Sequence, residues 1–391
     1  MNILHVPTWY PTEDDKLSGI FIKNHIETIN SYDDNKHFLL SWHRTRYSSL
    51  KKPLSFVKGF FNSLTSPERS NQDGLQVVNF NYFNSHEQLF GSNEKRLCKK
   101  IRGIVKKISA SSKIDLIHAH VTYPGGFLAM KLSRKLGIPY IISEHMGPFP
   151  FPEYREKEFL SKRIVEPVKH ASRVIAVSNF QKNEIMQWTG SAAEVIPNVV
   201  DEELFNVSDK PVGSMIEFIL VGILSEVKGI DILLNAVKKV ADKGIHNFHI
   251  SIIGSGAILD ELRAQSAQLK IEQFISWKGA MDQRQIAREL RESDCFISSS
   301  RHESFGVAIV EALATGLPVI ATKSGGPEDI IKQNNGILVN KEDPGALAEA
   351  IIEMTGSVRM YSKTGIRSDF LDRYSTKVIA GLYNKLYREV V

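Results

Sequence analysis

The chain has 391 residues, 42% of them hydrophobic and 24% charged, with a net charge of +5. That length predicts two or three domains and leaves ample apolar material for two cores, as in an ordinary globular enzyme. Its two cysteines, Cys98 and Cys295, fall in no CxxC or metal-ligand spacing, which argues against a disulfide scaffold or a zinc site.

Two further exclusions follow from hydropathy. No run of 18 uncharged apolar residues exists, so no membrane-spanning helix is expected. The opening stretch Met1–Pro7 is too short for a signal peptide and has no basic region before it. A cytoplasmic, reducing setting is the expectation. The charge is uneven. Residues 1–200 carry 27 Lys+Arg against 18 Asp+Glu, a balance of +9, and the remainder carries 22 against 26, a balance of −4. Such a split suggests two domains with different partners, the basic one suited to anionic lipid or a phosphorylated substrate.

In chain order, residues 2–6 read as a buried strand. The Ser18-Gly19 turn then opens a helical pattern over 19–29 and is a candidate anion-facing turn. Strands are predicted at 37–41 and 77–80. Residues 94–108 form an amphipathic pattern, with Leu97, Ile101, Ile104, Val105 and Ile108 on one face and seven cations on the rest. Such a helix can lie on anionic lipid, or it can pack on its own domain with a solvated basic face. The aromatic stretch 56–61 is a second membrane candidate, with core or loop packing as its alternative.

An apolar strand over 114–118 runs into His118-Ala119-His120, followed by a helical pattern at 126–136. His120 lies past the strand end, where it could reach a ligand. Alternation would place His118 and His120 on one face, but without a third metal ligand. The next strand, 140–143, ends in Ser143-Glu144-His145. For these histidines the alternative is a buried, satisfied imidazole. A strand at 174–177 completes the first half. The polar, Pro- and Gly-containing stretch at 201–214 reads as a linker between a domain at 1–200 and a second at 215–373.

The second half repeats the rhythm, with strands at 217–221, 249–253, 274–278, 295–298, 318–322 and 336–339. Alternating strands and helices predict an α/β chain of two tandem Rossmann-like, doubly wound domains, with ligands beyond the strand ends in a cleft they face. Lys228-Gly229 lies on the turn after the first strand. It can reach a phosphate or be a solvated loop lysine. Gly254-Ser255-Gly256 permits close backbone approach to a diphosphate. A third glycine turn, Gly325-Gly326, follows the fifth strand. The segment from Glu303 to Glu311 is the most informative. Two carboxylates, each able to accept a diol, flank Gly306 and a helix whose free amides near Phe305, Gly306 and Val307 suit an anion. Its alternative is a buried helix with a stray acid. No DxD pair, Walker A, HExxH or GxSxG motif is present, so no metal is expected in the chemistry. No aromatic-interleaved basic motif argues for nucleic acid.

The chain resembles glycosyltransferase family 4, retaining transferases of GT-B architecture. The likeness runs through residues 3–7 with Gly19, 115–120, 138–145, 177–179, 195–201, Lys228-Gly229 and the E-x7-E segment Glu303–Glu311. Residues 374–391 look like the family's closing helix, which returns to the first domain. The resemblance implies a nucleotide-sugar donor, UDP- or GDP-linked, and a glycan or lipid-linked acceptor in surface polysaccharide or glycoconjugate synthesis. It implies no cofactor; if the acceptor is lipid-linked, the basic helix at 94–108 would favour peripheral contact with an anionic inner membrane face. Glu311 would hold the ribose hydroxyls and Glu303 the transferred sugar. The amides of Phe305, Gly306 and Val307 would face the sugar and β-phosphate, Lys228 would neutralise the diphosphate, and His120 would touch the donor or reacting centre. Gly19 would approach the phosphates, and the base would be read near Lys278. Glu144 and His145 are acceptor-side candidates.

One departure stands out. Where the family usually carries Arg, five residues before Lys228, this chain has Ile223. A charged hydrogen bond is worth about 1.5–3 kcal/mol, roughly 10–100-fold in rate if it is felt only in the transition state. Two alternatives therefore stand beside an active transferase: a nucleotide-sugar epimerase on the same fold, and a catalytically impaired binding module.

Overall fold

The computed structural model describes residues 1–11, 19–46, 66–84, 90–156 and 159–391. Ser18 of the Ser18-Gly19 turn and the aromatic stretch 56–61 lie outside the described residues. The chain forms two compact units. The first comprises residues 1–176, 182–196 and 380–391, and the second comprises residues 177–181 and 197–379.

The first unit is built on strands β1 (Asn2–Pro7), β2 (Lys36–Arg46), β3 (Glu68–Gln72), β4 (Leu75–Asn84), β5 (Leu116–His120), β6 (Tyr140–Ser143), β7 (Arg155–Glu156), β8 (Phe159–Leu160), β9 (Arg173–Ala176) and β10 (Glu194–Val195). Eight of them make one sheet in the order β10-β9-β6-β5-β1-β2-β4-β3, and β7 pairs β8 separately. The large sheet is parallel except at β3, which runs antiparallel to β4. Asp73 and Gly74 join those two strands with φ of 48° and 90°, the two left-handed residues of a tight hairpin turn. The helices are α1 (Ile20–Tyr32), α2 (Phe90–Ser109), α3 (Phe127–Leu136), α4 (Lys162–His170) and α5 (Asn179–Thr189).

Strands covered on both faces read as apolar runs, and that is why β1, β5 and β6 were legible as strands. On one face Leu4, Val6, Ile117 and Ala119 pack against Leu97, Ile101, Ile104, Val105 and Ile108 of α2. The apolar stripe of that helix is therefore taken up by its own domain.

The second unit carries β11 (Ile216–Val221), β12 (Phe248–Ile253), β13 (Ile275–Gly279), β14 (Cys295–Ser298), β15 (Val319–Thr322) and β16 (Gly336–Val339). All pair in parallel in the order β13-β12-β11-β14-β15-β16. This is the doubly wound order whose winding reverses between β11 and β14, and ligands of such sheets sit beyond the strand ends at that reversal. Its helices are α6 (Ile230–Asp242), α7 (Leu259–Gln268), α8 (Gln283–Arg291), α9 (Val307–Ala314), α10 (Pro327–Ile330), α11 (Pro344–Ser357), α12 (Lys363–Tyr374) and α13 (Thr376–Val390).

Two boundaries differ from the sequence reading. Residues 201–214, expected as a linker, belong to the second unit. Phe205 is buried in its core, and the Asp201 carboxylate accepts from the amides of Glu203 and Leu204. The closing helix α13 starts within the second unit, and only residues from Ala380 onward join the first.

Candidate active site

At the winding reversal of the second unit, the loops after β11 and β14 are stitched together by backbone. Arg301 N donates to Val227 O at 2.7 Å, and Ser299 Oγ donates to Lys228 O at 2.9 Å. Gly229, at φ 59°, sits so close that a Cβ there would lie 2.1 Å from Ser299 O. Lys228 therefore meets the second loop, and its Nζ donates to Glu303 Oε2 at 2.5 Å. Its aliphatic stem lies along Gly222, which has no side chain to displace it. Glu303 is fixed by its own backbone. Its N donates to Ser324 O at 2.9 Å, and its O accepts from Gly326 N at 2.6 Å. The Gly325-Gly326 turn exists for this approach, since a Cβ on Gly326 would come within 2.3 Å of Phe305 O.

Gly306, at φ 107°, turns the chain into α9. The first-turn amides of that helix have no intrahelical acceptor and point out of its N-terminus, the arrangement that binds anions. Phe305 anchors the turn, packing its buried ring on Tyr374. Glu311, one turn beyond Val307, is buried, and burial pushes its carboxyl up to about 7. A carboxylate so placed gains from any pair of hydroxyl donors.

The structure shows what surrounds three sequence-predicted positions. On the side a Cβ would occupy, Gly254 and Gly256 lie close against protein backbone. A Cβ on Gly254 would lie 1.8 Å from Gly222 O, and one on Gly256 would lie 2.0 Å from Leu224 O. Ser255 contributes its carbonyl to Leu224 N at 3.0 Å. Lys278 is held by Glu289 at 3.2 Å. Ile223, at the position of the family's Arg, is 70% exposed.

In the first unit, register explains a feature that alternation along one strand could not show. His5 pairs with His118 across β1 and β5, and His37 on β2 pairs with Ile3, two residues from His5. His5, His37, His118 and His120 thus share one sheet face across three adjacent strands, with His25 of α1 against them. His118 bonds Tyr387 of α13 and Ser143, each at 2.8 Å. Ring nitrogens of His5, His118 and His120 all lie within 4.8 Å of one another, so the expectation of no third candidate ligand beside His118 and His120 is corrected. Burial first, and neighbouring imidazoles second, hold His5, His25, His118 and His120 well below the ordinary histidine range, so these rings are neutral at pH 7.

Glu144 is fully buried and accepts from the amides of Thr122, His145 and Met146 at 2.7–2.8 Å. Its carboxylate organises the strand-end loops. His145 stacks on His120 with ring centroids 6.0 Å apart. Gly19 caps α1 at φ 70°, where a Cβ would lie 2.6 Å from the Trp9 backbone. Directly after His120, Val121 adopts φ 73°, a strained value for a β-branched residue, held by Val121 N donating to Ser143 O at 2.8 Å.

Known proteins bear on this geometry. The family described as Glycosyltransferase Family 4 matches residues 60–204, and that described as Glycosyl transferases group 1 matches residues 201–364. The uncharacterized glycosyltransferase MJ1178 of Methanocaldococcus jannaschii is 30% identical over 306 residues, 75% of this chain and 83% of that protein. The teichuronic acid biosynthesis glycosyltransferase TuaC of Bacillus subtilis, a putative one by its name, is 28% identical over 61% of this chain and 60% of its own. Among solved structures, sucrose-phosphate synthase of Thermosynechococcus elongatus superposes with a TM-score of 0.75 at 17% identity, covering 100% of this chain and 99% of that one. HepE of Anabaena, solved with UDP, gives 0.73 at 18% identity over all of both chains. Two Rossmann-like units, two family matches in chain order and a relative spanning three quarters of the sequence lead to one conclusion: the chain belongs to glycosyltransferase family 4, sugar-transferring enzymes of the GT-B fold.

Proposed function

We propose that the chain is a retaining transferase that takes a nucleotide-sugar, UDP- or GDP-linked, and passes the sugar to a glycan or lipid-linked acceptor in glycoconjugate synthesis, with no metal in the chemistry. The observation that carries this reading is the Lys228–Glu303 pair at the winding reversal, beside the N-terminus of α9. Lys228 has three N–H donors and gives one to Glu303, leaving two for a diphosphate. Glu303 keeps Oε1 for a sugar hydroxyl, and Glu311 takes the ribose diol. The helix amides receive the β-phosphate. HepE is solved with UDP and glucose, which supports a uridine nucleotide as the first donor to try. His120 meets a hydroxyl of the reacting sugars.

The test is donor-screening calorimetry followed by product mass spectrometry, with Glu303→Ala as control. The variant is expected to lose about 10–100-fold in transfer rate, the worth of a hydrogen bond to a charged group. Undiminished transfer would remove Glu303 from the site, and strict dependence on added Mn²⁺ would remove the metal-free mechanism. A second reading, a binding module with impaired transfer, rests on the exposed Ile223, and donor binding without turnover across a broad acceptor panel would favour it.

Membrane contact belongs to this proposal as an electrostatic term only, since the apolar face of α2 is buried in its own core. Beside that helix lies a groove of about 530 Å³ lined by Arg69, Arg96, Lys99, Lys100 and Lys107. Flotation with anionic liposomes should fall when Lys99 and Lys100 are replaced by Glu, and fall with salt in the parent protein. Equal flotation of the two proteins would discard the role.

A further inference from the structure

The histidine face contains a chain of hydrogen bonds that the transfer reaction does not explain by itself. Asp33, the C-cap of α1, lies 2.9 Å by its Oδ1 from His37 Nε2. His37 Nδ1 lies 2.9 Å from His5 Nε2, and His5 Nδ1 lies 3.1 Å from His120 Nε2. The run ends at His120 Nδ1, which is fully buried and has no hydrogen-bond partner among the described residues. A buried polar nitrogen without a partner costs about 1–3 kcal/mol, so a fold that builds three bonds up to it calls for a reason.

Direction follows from chemistry. Burial alone would raise the Asp33 carboxyl, but bonds from His37 and Asn35 outweigh it and hold the group below the ordinary carboxylate range. An ionised carboxylate only accepts, so His37 Nε2 carries the proton. With its single ring proton on Nε2, His37 offers a bare Nδ1, which must accept from His5 Nε2–H. His5 Nδ1 is bare in turn and accepts from His120 Nε2–H. With one proton per ring this is the only consistent assignment, and it leaves His120 Nδ1 as a bare lone pair. His118 stands outside the run, because both of its nitrogens face hydroxyls, of Tyr387 and Ser143.

We propose that Asp33, His37 and His5 are positioning residues that form a directional relay and lock His120 into the Nε2–H tautomer, so that its Nδ1 can only accept a hydrogen bond. The inference rests on the reading above that His120 meets a sugar hydroxyl, and it specifies the form in which it does so: as acceptor for an O–H, not as donor to an oxygen.

The deciding measurement is long-range ¹H–¹⁵N correlation on the full-length, histidine-labelled protein at pH 8, which reads tautomers without any need for transfer. His5, His37 and His120 should each show a protonated Nε2 and an aprotic Nδ1. In His37→Phe, which removes the acceptor for His5, His120 should lose that single tautomer. Asp33→Asn, which keeps an acceptor oxygen and nearly the same volume, should retain it. In transfer assays the His37→Phe and His120→Ala effects should fail to multiply, with the double variant no slower than His120→Ala alone. A protonated His120 Nδ1 in the parent protein would overturn the relay whatever the activity, as would fully multiplicative losses. Stoichiometric uptake of Co²⁺ that vanishes in His5→Phe would also overturn it, because the same nitrogens would then be metal ligands. Tautomers as stated together with a His120→Ala variant that transfers normally would leave the relay standing and remove His120 from the reaction.

Discussion

Glu311 carries a cost that its fold does not offset. Its carboxyl is raised to about 7 by burial, from an ordinary 4.5. The sign is that of a raised acid: the folded chain holds its proton to higher pH than the unfolded one. The penalty is therefore absent below pH 4.5, grows between 4.5 and 7, and is full above 7, at roughly 3 kcal/mol. Glu311→Gln should stabilise the second unit at pH 8 and leave it unchanged at pH 4. A rise in Tm of roughly 6–12 °C is expected at the higher pH, since about 1 kcal/mol moves a unit of this size by 2–4 °C. Nucleotide affinity should fall about 10–100-fold in the same variant, because the amide is a poorer acceptor for a diol. Scanning calorimetry at both pH values, with titration calorimetry beside it, checks the pair; an unchanged Tm at pH 8 would mean that the carboxylate is not destabilising. This residue was legible in sequence as one of two acids eight apart. That it is buried was not, because burial depends on α9 packing in the core of a sheet assembled from distant strands.

At the scale of elements, apolar runs marked the parallel strands, and the Lys228 and Glu303 turns were legible because both follow such runs. The β3–β4 hairpin was missed, although Asp73-Gly74 is the turn pair such hairpins use. Its five-residue first strand is exposed throughout, so no apolar alternation announced it. Gly254-Ser255-Gly256 shows the other limit. A sequence reports that a glycine admits a close approach but not from what; on the side a Cβ would occupy it is the backbone of Gly222 and Leu224. Gly256 is the cleaner test, since it needs no positive φ and only the missing Cβ matters. Gly256→Ala should cost about 1–3 kcal/mol, the range for overpacking, and should raise the donor Kd by displacing the Gly222–Lys228 loop. Chemical denaturation and donor titration read the two effects. A stable variant with normal donor affinity would show that the two loops need not touch.

Across the whole molecule, the two units should answer acid in opposite ways. His5, His25, His118 and His120 are all held below the ordinary histidine value by burial and by one another. A depressed histidine binds its proton in the unfolded chain first, so its contribution is fully present above pH 6.5 and is lost as pH falls below that value. Each such group contributes at most about 1.4 kcal/mol per pH unit below that value. Glu144 acts the other way, because burial, despite its three amide bonds, raises its carboxyl; one acid does not balance four imidazoles. In the second unit Glu311 relieves its own penalty as pH falls from 7 to 4.5. With two units of opposite slope no single unfolding free energy describes the chain, so the measurement must resolve them. Hydrogen exchange followed peptide by peptide should show β1, β5 and α1 losing protection between pH 6.5 and 5 while β11, β14 and α9 retain theirs. Replacing His25, which stands outside the relay and whose Nε2 has no hydrogen-bond partner among the described residues, by Phe should shift the first unit's loss to lower pH without disturbing the relay. Simultaneous loss in both units, or a first unit still protected at pH 5, would mean that the histidine face does not govern acid stability.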